Sequence, residues 1–389
     1  MFIEKQLYEL AIGHFVVKIV KQQGSFSLTA PGHIKSDAVI RYLKSKQVDS
    51  VLIDESKTLM SNSGEDFTIT KNTTINPESL KQAKEIFNQS KSIQKDLFTA
   101  ALSGASLDLN PVIDVTNKSI DAIYNNPDSL ACMLNIREKD EYLLEHSVSV
   151  SIYITLFARY LKMDRDIVEQ LSIGAFLHDV GKIMIPDDIL NKPGKLTDDE
   201  FTIMKTHANH SIDIITKTPG ISQLSLEVAA LHHEKLNGQG YPFQVKADKI
   251  HQYGRMIAIC DIFDALTATR VYKQGFPHAK AFAILRELAQ KEHLDVRLVD
   301  QFIKCVGIFP VGSLVQLKSK KLALVTARNN EDPLNPKVDS FYNVQLNHFV
   351  DKQSIDLSTC DDDAIVKGVR AEEFDLDMDK IIEMLLMEG

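Results

Sequence analysis

Six of the twelve histidines in this 389-residue chain fall between residues 146 and 233. In order they are His146, His178, His207, His210 and the pair His232-His233, with Asp179 directly after His178 and Asp261 downstream. Imidazole nitrogens and carboxylate oxygens are the donors that iron, manganese and zinc take. Seven such groups (His146, His178, Asp179, His207, His232, His233 and Asp261) exceed what one ion needs. They suggest two ions sharing a bridging carboxylate, an arrangement suited to hydrolysing a phosphate ester. The alternative is a chance cluster of histidines with packing roles. The constraint on the fold is convergence: helices carrying residues as distant as 146 and 261 must meet.

The texture between these residues is helical. Leu144, Val148, Ile152, Leu156 and Tyr160 recur every four residues as one apolar stripe, with His146, Val150 and Tyr153 on the neighbouring face. Thr197 and Glu200 form a capping-box signal that opens a helix to about Lys217. Phe201, Met204, Ala208 and Ile215 are its expected core stripe, with His207 beside it. Gly181 is expected to end the helix bearing His178 and Asp179, with Pro186 beyond.

The flanks differ. Residues 1–60 read as a small α/β domain, with strands at Phe15–Val20, Ser25–Ala30 and Val51–Ile53 and a helix from Asp37 to about Ser45 capped by Ser36. Residues 61–110 read as a linker, polar over Ser61–Thr74, followed by a connecting helix from about Glu78 to Leu102. Residues 111–310 form the helical domain that carries the histidines. Residues 311–389 read as an extension in which Ser313–Leu317 and Leu322–Ala327 make a hairpin, Tyr342–Leu346 and Ser354–Leu357 are short strands, and a last helix ends at Ile381–Met387. The fold class is therefore mainly α: a helical bundle with a small α/β N-terminal domain and a short β-rich plus helix C-terminal extension.

Composition removes several function classes. With 44% hydrophobic and 25% charged residues the chain is ordinary for a globular protein. No run of eighteen apolar residues marks a membrane span, and residues 1–5 do not open a secretory signal. The scattered cysteines (Cys132, Cys260, Cys305, Cys360) fit a reducing cytoplasm rather than a disulfide framework. A net charge of −9 argues against a DNA or RNA polymer as partner. It leaves room for a small phosphorylated ligand in a pocket whose local potential is set by metal ions.

A lone His-Asp dipeptide is a weak signal. Here His178-Asp179-Val180-Gly181-Lys182 is followed by Met204-Lys205-Thr206-His207, His232-His233-Glu234 and Gly238-Gln239-Gly240-Tyr241-Pro242. Ile185-Pro186, Asn191-Lys192-Pro193-Gly194 and Asp261-Ile262-Phe263-Asp264-Ala265-Leu266-Thr267 complete the series. Over about Glu141 to Phe309 the chain resembles the HD-GYP family, bacterial cyclic-dinucleotide phosphodiesterases of the HD phosphohydrolase superfamily. The first sixty residues resemble the small N-terminal domain often attached to such modules.

The resemblance implies two divalent metal ions, with iron or manganese favoured and zinc or nickel as alternatives. One would be held by His146, His178 and Asp261, the other by His207, His232 and His233, with Asp179 bridging. Water between such ions loses its proton near neutral pH and serves as the bridging nucleophile. Some relatives carry a Glu four residues before the first His, allowing a third ion; here that residue is Tyr142, so two are expected. Lys182 would neutralise charge on the scissile phosphate or the bridging hydroxide, and Arg270 and Lys273 would bind phosphate. Gly240, Tyr241 and Pro242 would form a substrate-side loop; packing of Tyr241 behind the histidines is the equal alternative. Glu234 and Asp264 would orient imidazoles or cap backbone groups.

The expected reaction is hydrolysis of a cyclic dinucleotide, cyclic di-GMP first, to the linear dinucleotide. The alternatives are 3′,3′-cyclic GMP-AMP as substrate, a nucleoside triphosphate or (p)ppGpp-type alarmone, or a non-catalytic cyclic-dinucleotide sensor. A homodimer or signalling partner would use the N- or C-terminal regions.

Overall fold

Leu80, Ala83, Ile86, Phe87, Ser90, Ile93, Gln94, Leu97, Phe98 and Ala101 recur at three- and four-residue steps, and in a computed structural model of the chain they are the buried face of helix α1 (Pro77–Leu102). The structure describes residues 2–6, 10, 14–24, 32–34, 39, 43, 45–54, 77–135, 141–269, 274–329 and 331–387. The chain divides into two compact units, Met1–Lys71 and Asn72–Gly389.

In the first unit β1 (Phe2–Gln6), β2 (Phe15–Gln22), β3 (Gly32–His33) and β4 (Val48–Asp54) form an antiparallel sheet in the order β1-β4-β2-β3. Val16, Val48, Val51 and Ile53 pack with Leu10, Ile34 and Leu43 as its core. Strand β1 was not expected, because its sequence FIEKQ lacks an alternating apolar pattern and it is identified only by pairing with β4. The strand expected at Ser25–Ala30, the Ser36 cap and the polar Ser61–Thr74 stretch lie outside the described residues. Of the helix expected from Asp37 to Ser45, only residues 39, 43 and 45 are described, and all three are helical.

The second unit is a helical bundle with a sheet packed on it. After α1 come α2 (Leu109–Asn125), α3 (Pro127–Met133), α4 (Tyr142–Tyr160) and α5 (Arg165–Leu177). A 3-10 turn (Val180–Met184) and the short α6 (Asp187–Leu190) lead to α7 (Asp198–Thr216), α8 (Gln223–Leu231), α9 (Gln252–Thr267), α10 (His278–Gln290) and α11 (Val296–Val306). Helix α4 is more enclosed than its stripe implied: every residue from Glu145 to Ala158 is buried, and only the terminal Tyr160 of the expected stripe is exposed. Such a helix runs through the middle of a core rather than along its surface. Among the described residues, no helix is long and apolar enough to cross a membrane.

Helix α7 begins with the expected capping box, Thr197 and Glu200 bonding each other's backbone N–H. Its stripe holds at Ala208 and Ile215, which are buried, but Phe201 is 47% exposed. Gly181 also departs from expectation. It does not end a helix in a left-handed conformation; it lies within the 3-10 turn, flat against α7. A Cβ there would come within 2.3 Å of both the His207 carbonyl oxygen and the Ser211 nitrogen, so only glycine lets the turn approach this closely.

Beyond α11, β5 (Leu314–Leu317) and β6 (Lys321–Ala327) make the expected hairpin. They join β7 (Lys337–Asn343), β8 (His348–Asp356) and β9 (Ile365–Val369) in an antiparallel sheet ordered β8-β7-β6-β5-β9. Strand β9 (IVKGV) was missed although three of its five residues are β-branched; it follows the acidic Asp361–Asp363 stretch and pairs with β5 far back in the chain. Helix α12 (Met378–Ile382) runs into a π-helical turn (Glu383–Met387) that closes the described chain, with Ile381, Ile382, Leu385 and Leu386 buried. Arg328, just past β6, donates to Asp128 (2.6 Å) and to the Cys305 carbonyl (2.7 Å), tying the sheet to α3 and α11. Arg370, just past β9, donates to the carbonyls of Gly275 (2.5 Å) and Thr267 (3.3 Å).

Candidate metal centre

The seven residues singled out in the sequence meet at one buried place in the bundle. His146 comes from α4, His178 and Asp179 from the end of α5, His207 from the middle of α7, His232 and His233 from the end of α8, and Asp261 from α9. His146, His178, Asp179, His207, His232 and Asp261 are buried and His233 is partly so. Donor atoms of His146, His178 and Asp179 lie within 4.8 Å of one another, and so do those of Asp179, His207, His232 and His233. Asp179 belongs to both groups. Asp261 reaches across them: its carboxylate is 3.0 Å from His146 Nε2, 3.8 Å from His178 Nε2 and 3.4 Å from His233 Nδ1.

Local helix geometry sets the tautomers. His178 and His232 are the residues that cap α5 and α8, where the last carbonyls have no intrahelical donor. Each ring uses one: His178 Nδ1 donates to the Ala175 oxygen (2.6 Å) and His232 Nδ1 to the Ala229 oxygen (2.5 Å). His207 Nδ1 donates likewise to the Met204 oxygen (2.6 Å). A carbonyl only accepts, so these rings carry their proton on Nδ1 and turn a bare Nε2 lone pair to the centre. His146 directs Nδ1 to Asp264 (2.7 Å), and Asp264 is wholly buried. The carboxylate fixes that ring as well.

Without a cation this arrangement is unfavourable. His207 Nε2 sits 3.4 Å from His232 Nε2 and 3.2 Å from His233 Nε2. Burial holds the pKa of His233 down to about 3 and that of His232 well below the ordinary imidazole value, so both are neutral at pH 7. His178 Nε2 and Asp179 Oδ1 are buried with no hydrogen-bond partner, the signature of atoms meant for a metal. Helices α5 and α8 also direct their negative ends at the cluster, which favours a cation there. The donor set, the orphaned atoms and the helix ends all fit divalent metal ions.

Lys182 Nζ donates to Asp179 Oδ2 at 2.5 Å. Burial opposes its charge, but Asp179, Tyr142 and Asp261 outweigh it and raise its pKa, so the ammonium persists. Burial likewise opposes ionisation of Asp179, yet His178 and Lys182 hold its carboxyl well below the usual range.

The Gly-Gln-Gly-Tyr-Pro loop packs directly against the histidines. A Cβ on Gly240 would lie 2.4 Å from Lys235 N and 2.5 Å from Glu234 Cα, so the loop closes on the His233-Glu234 backbone only with glycine there. The Tyr241 ring lies 4.5 Å from that of His233 and 6.2 Å from that of His207, and a cis peptide links it to Pro242. The two side chains left open in the sequence divide the roles between them. Asp264 orients an imidazole, whereas Glu234 accepts from the backbone N–H groups of Phe243 (2.7 Å), Gln244 (3.0 Å) and Val245 (3.2 Å) and shapes the loop. Arg270 and Lys273 lie outside the described residues.

Sequence reasoning gave α1 as a connecting helix and missed its contacts with the site. Lys91 donates to Glu141 (2.7 Å) and to Glu145 (3.4 Å), beside His146, and Gln94 donates to the Phe176 carbonyl, two residues before His178. Neither Lys91 nor Gln94 stands in a motif, and no local signal would have found them. Tyr142 stacks on His146, ring centroids 5.5 Å apart. His210 stays off the centre, half-buried on α7. His251 pairs with Glu227 (2.7 Å) and accepts from Gly254 N at the start of α9, an ordinary structural role.

Buried histidines and aspartates converging from several helices define a metal-binding HD domain, and residues 131–298 match the family model described as "HD domain". Residues 6–112 match a domain of unknown function (DUF3391). Cyclic di-GMP phosphodiesterase PA4108 of Pseudomonas aeruginosa is 33% identical over 281 residues, covering 72% of this chain and 67% of that protein. A cyclic di-GMP phosphodiesterase of Vibrio cholerae is 38% identical over 198 residues, covering 49% of this chain and 39% of its own. 3′3′-cGAMP-specific phosphodiesterase 2 of the same organism is 34% identical over 200 residues, covering 50% of this chain and 36% of its own. The chain belongs to the HD-GYP family.

Proposed function

We propose that this chain is a metal-dependent phosphodiesterase that opens a cyclic dinucleotide, cyclic di-GMP in the first place, to the linear dinucleotide. The observation that carries the reading is the position of Asp179, whose two carboxylate oxygens face the two histidine groups from between them. His146, His178 and Asp261 would hold one ion and His207, His232 and His233 the other, with Asp179 shared. Bound there, divalent ions polarise the phosphate and lower the pKa of a water molecule at the site. Iron or manganese suits the mixed imidazole and carboxylate set.

The chain's own groups do the rest. Lys182 keeps a positive charge beside Asp179, where negative charge builds on the phosphate as the ester bond breaks. Gly240 brings Tyr241 and Pro242 to the mouth of the site, and Arg270 and Lys273 supply phosphate contacts. Two ions rather than three follow from Tyr142, which stacks on His146 where a carboxylate would be needed, and from Glu141, which is held by Lys91. The four free cysteines suit a reducing cytoplasm.

The test uses anaerobically purified protein, elemental analysis, and both cyclic di-GMP and 3′,3′-cyclic GMP-AMP. We expect about two metal ions per chain and turnover of cyclic di-GMP to a linear product. Asp179→Ala should lose both ions and all turnover. Tight retention of cyclic di-GMP by metal-replete protein without turnover would replace this reading with that of a sensor. Preferred turnover of cyclic GMP-AMP would move the substrate and keep the chemistry.

A further inference from the structure

Phe201 is a large aromatic residue that the packing leaves uncovered. It lies on α7 in register with the buried Ala208 and Ile215, yet is 47% exposed. Its ring meets that of Tyr241 edge to face, centroids 6.5 Å apart at 89°, and Tyr241 in turn lies 4.5 Å from His233. The aromatic surface therefore runs outward from the metal centre: His233, Tyr241, Phe201. Lys205, one turn along α7, holds its ammonium 5.3 Å from the Phe201 centroid. It makes no ion pair among the described residues. Met184 and Phe243, each two residues from a site residue (Lys182 and Tyr241), are 46% and 54% exposed. Exposed apolar side chains gathered on the segments that build a polar site mark a binding surface rather than a packing defect.

Building on the phosphodiesterase reading, we propose that Phe201 and Lys205 form a nucleotide subsite beside the metal centre, Phe201 stacking on one purine of the substrate and Lys205 facing the phosphate attached to it. A purine presents a flat π-face that an exposed phenyl ring accepts whatever its edge groups, so this contact adds affinity without choosing guanine over adenine. An ammonium held over a ring keeps most of its charge available, and a cyclic dinucleotide brings a second phosphate that the metal centre does not engage.

The experiment compares the full-length, metal-loaded chain with Phe201→Ala and Phe201→Trp on cyclic di-GMP and 3′,3′-cyclic GMP-AMP, measuring KM, kcat and bound metal. Phe201→Ala should raise KM roughly 5- to 150-fold for both substrates, with the loss falling on KM rather than kcat or metal content. Phe201→Trp should restore KM. An unchanged KM in Phe201→Ala, or a fall in kcat matched by lost metal, would overturn the subsite while leaving the phosphodiesterase reading in place. No turnover of either dinucleotide by the unmutated protein would overturn both.

Discussion

Four of the five imidazoles at the centre have one nitrogen committed before any ion arrives. Three give their Nδ1 proton to a carbonyl three residues back on their own helix, and His146 gives its own to Asp264. The carboxylate behind His146 fixes the ring plane and increases the basicity of Nε2. Asp264→Asn keeps the shape but loses that charge, and should cost about 10- to 100-fold in metal affinity or activity. A variant with unchanged metal content and unchanged turnover would show that the ring is held by its packing alone. All seven proposed ligands were legible as residue types in order. What their order did not reveal is which nitrogen each ring offers, because that depends on carbonyls freed at helix ends. Phe201 departs from its periodicity: the stripe puts it inside, but its ring meets Tyr241 only edge to face and stays 47% exposed.

The 3-10 turn after α5 and helix α7 work as a pair. The turn carries Asp179 at its entry and Lys182 within it, and α7 carries His207. Their separation is set by Gly181, whose N–H donates to Ser211 Oγ at 2.9 Å while its missing side chain lets the backbones touch. Gly181→Ala would push the turn off α7. It should cost about 1–3 kcal/mol or more of stability through overpacking and, on the proposed assignment of His207 as a ligand, should lower the bound metal. A melting temperature and metal content equal to those of the unmutated chain would contradict that view of the turn. At this scale the Thr197 and Glu200 capping box of α7 was readable from the sequence. Strands β1 and β9 were not, because each owes its conformation to the strand beside it. The role of α1 was also hidden, since Lys91 and Gln94 act on residues far along the chain.

At the scale of the whole molecule, apolar side chains from α1 through the helices to the C-terminal sheet and α12 form one continuous cluster, and those of the first unit form another. Gly312 lies so close to Cys132 that a Cβ would come within 2.5 Å of its sulfur, and Arg328 binds α3 and α11 together from the sheet side. Residues 72–389 should therefore unfold as one cooperative transition, with residues 1–71 melting separately. Calorimetry on the whole chain checks this; a distinct transition for residues 311–389 would contradict it. The mainly helical class and the β-rich tail were both evident from periodicity, but not that sheet and bundle share one interior. That shared interior governs where the polypeptide tolerates being cut or recombined. Severed after its last long helix, the bundle would be left with an oily flank needing a substitute cover, whereas division near Lys71 would hand each fragment a centre of its own.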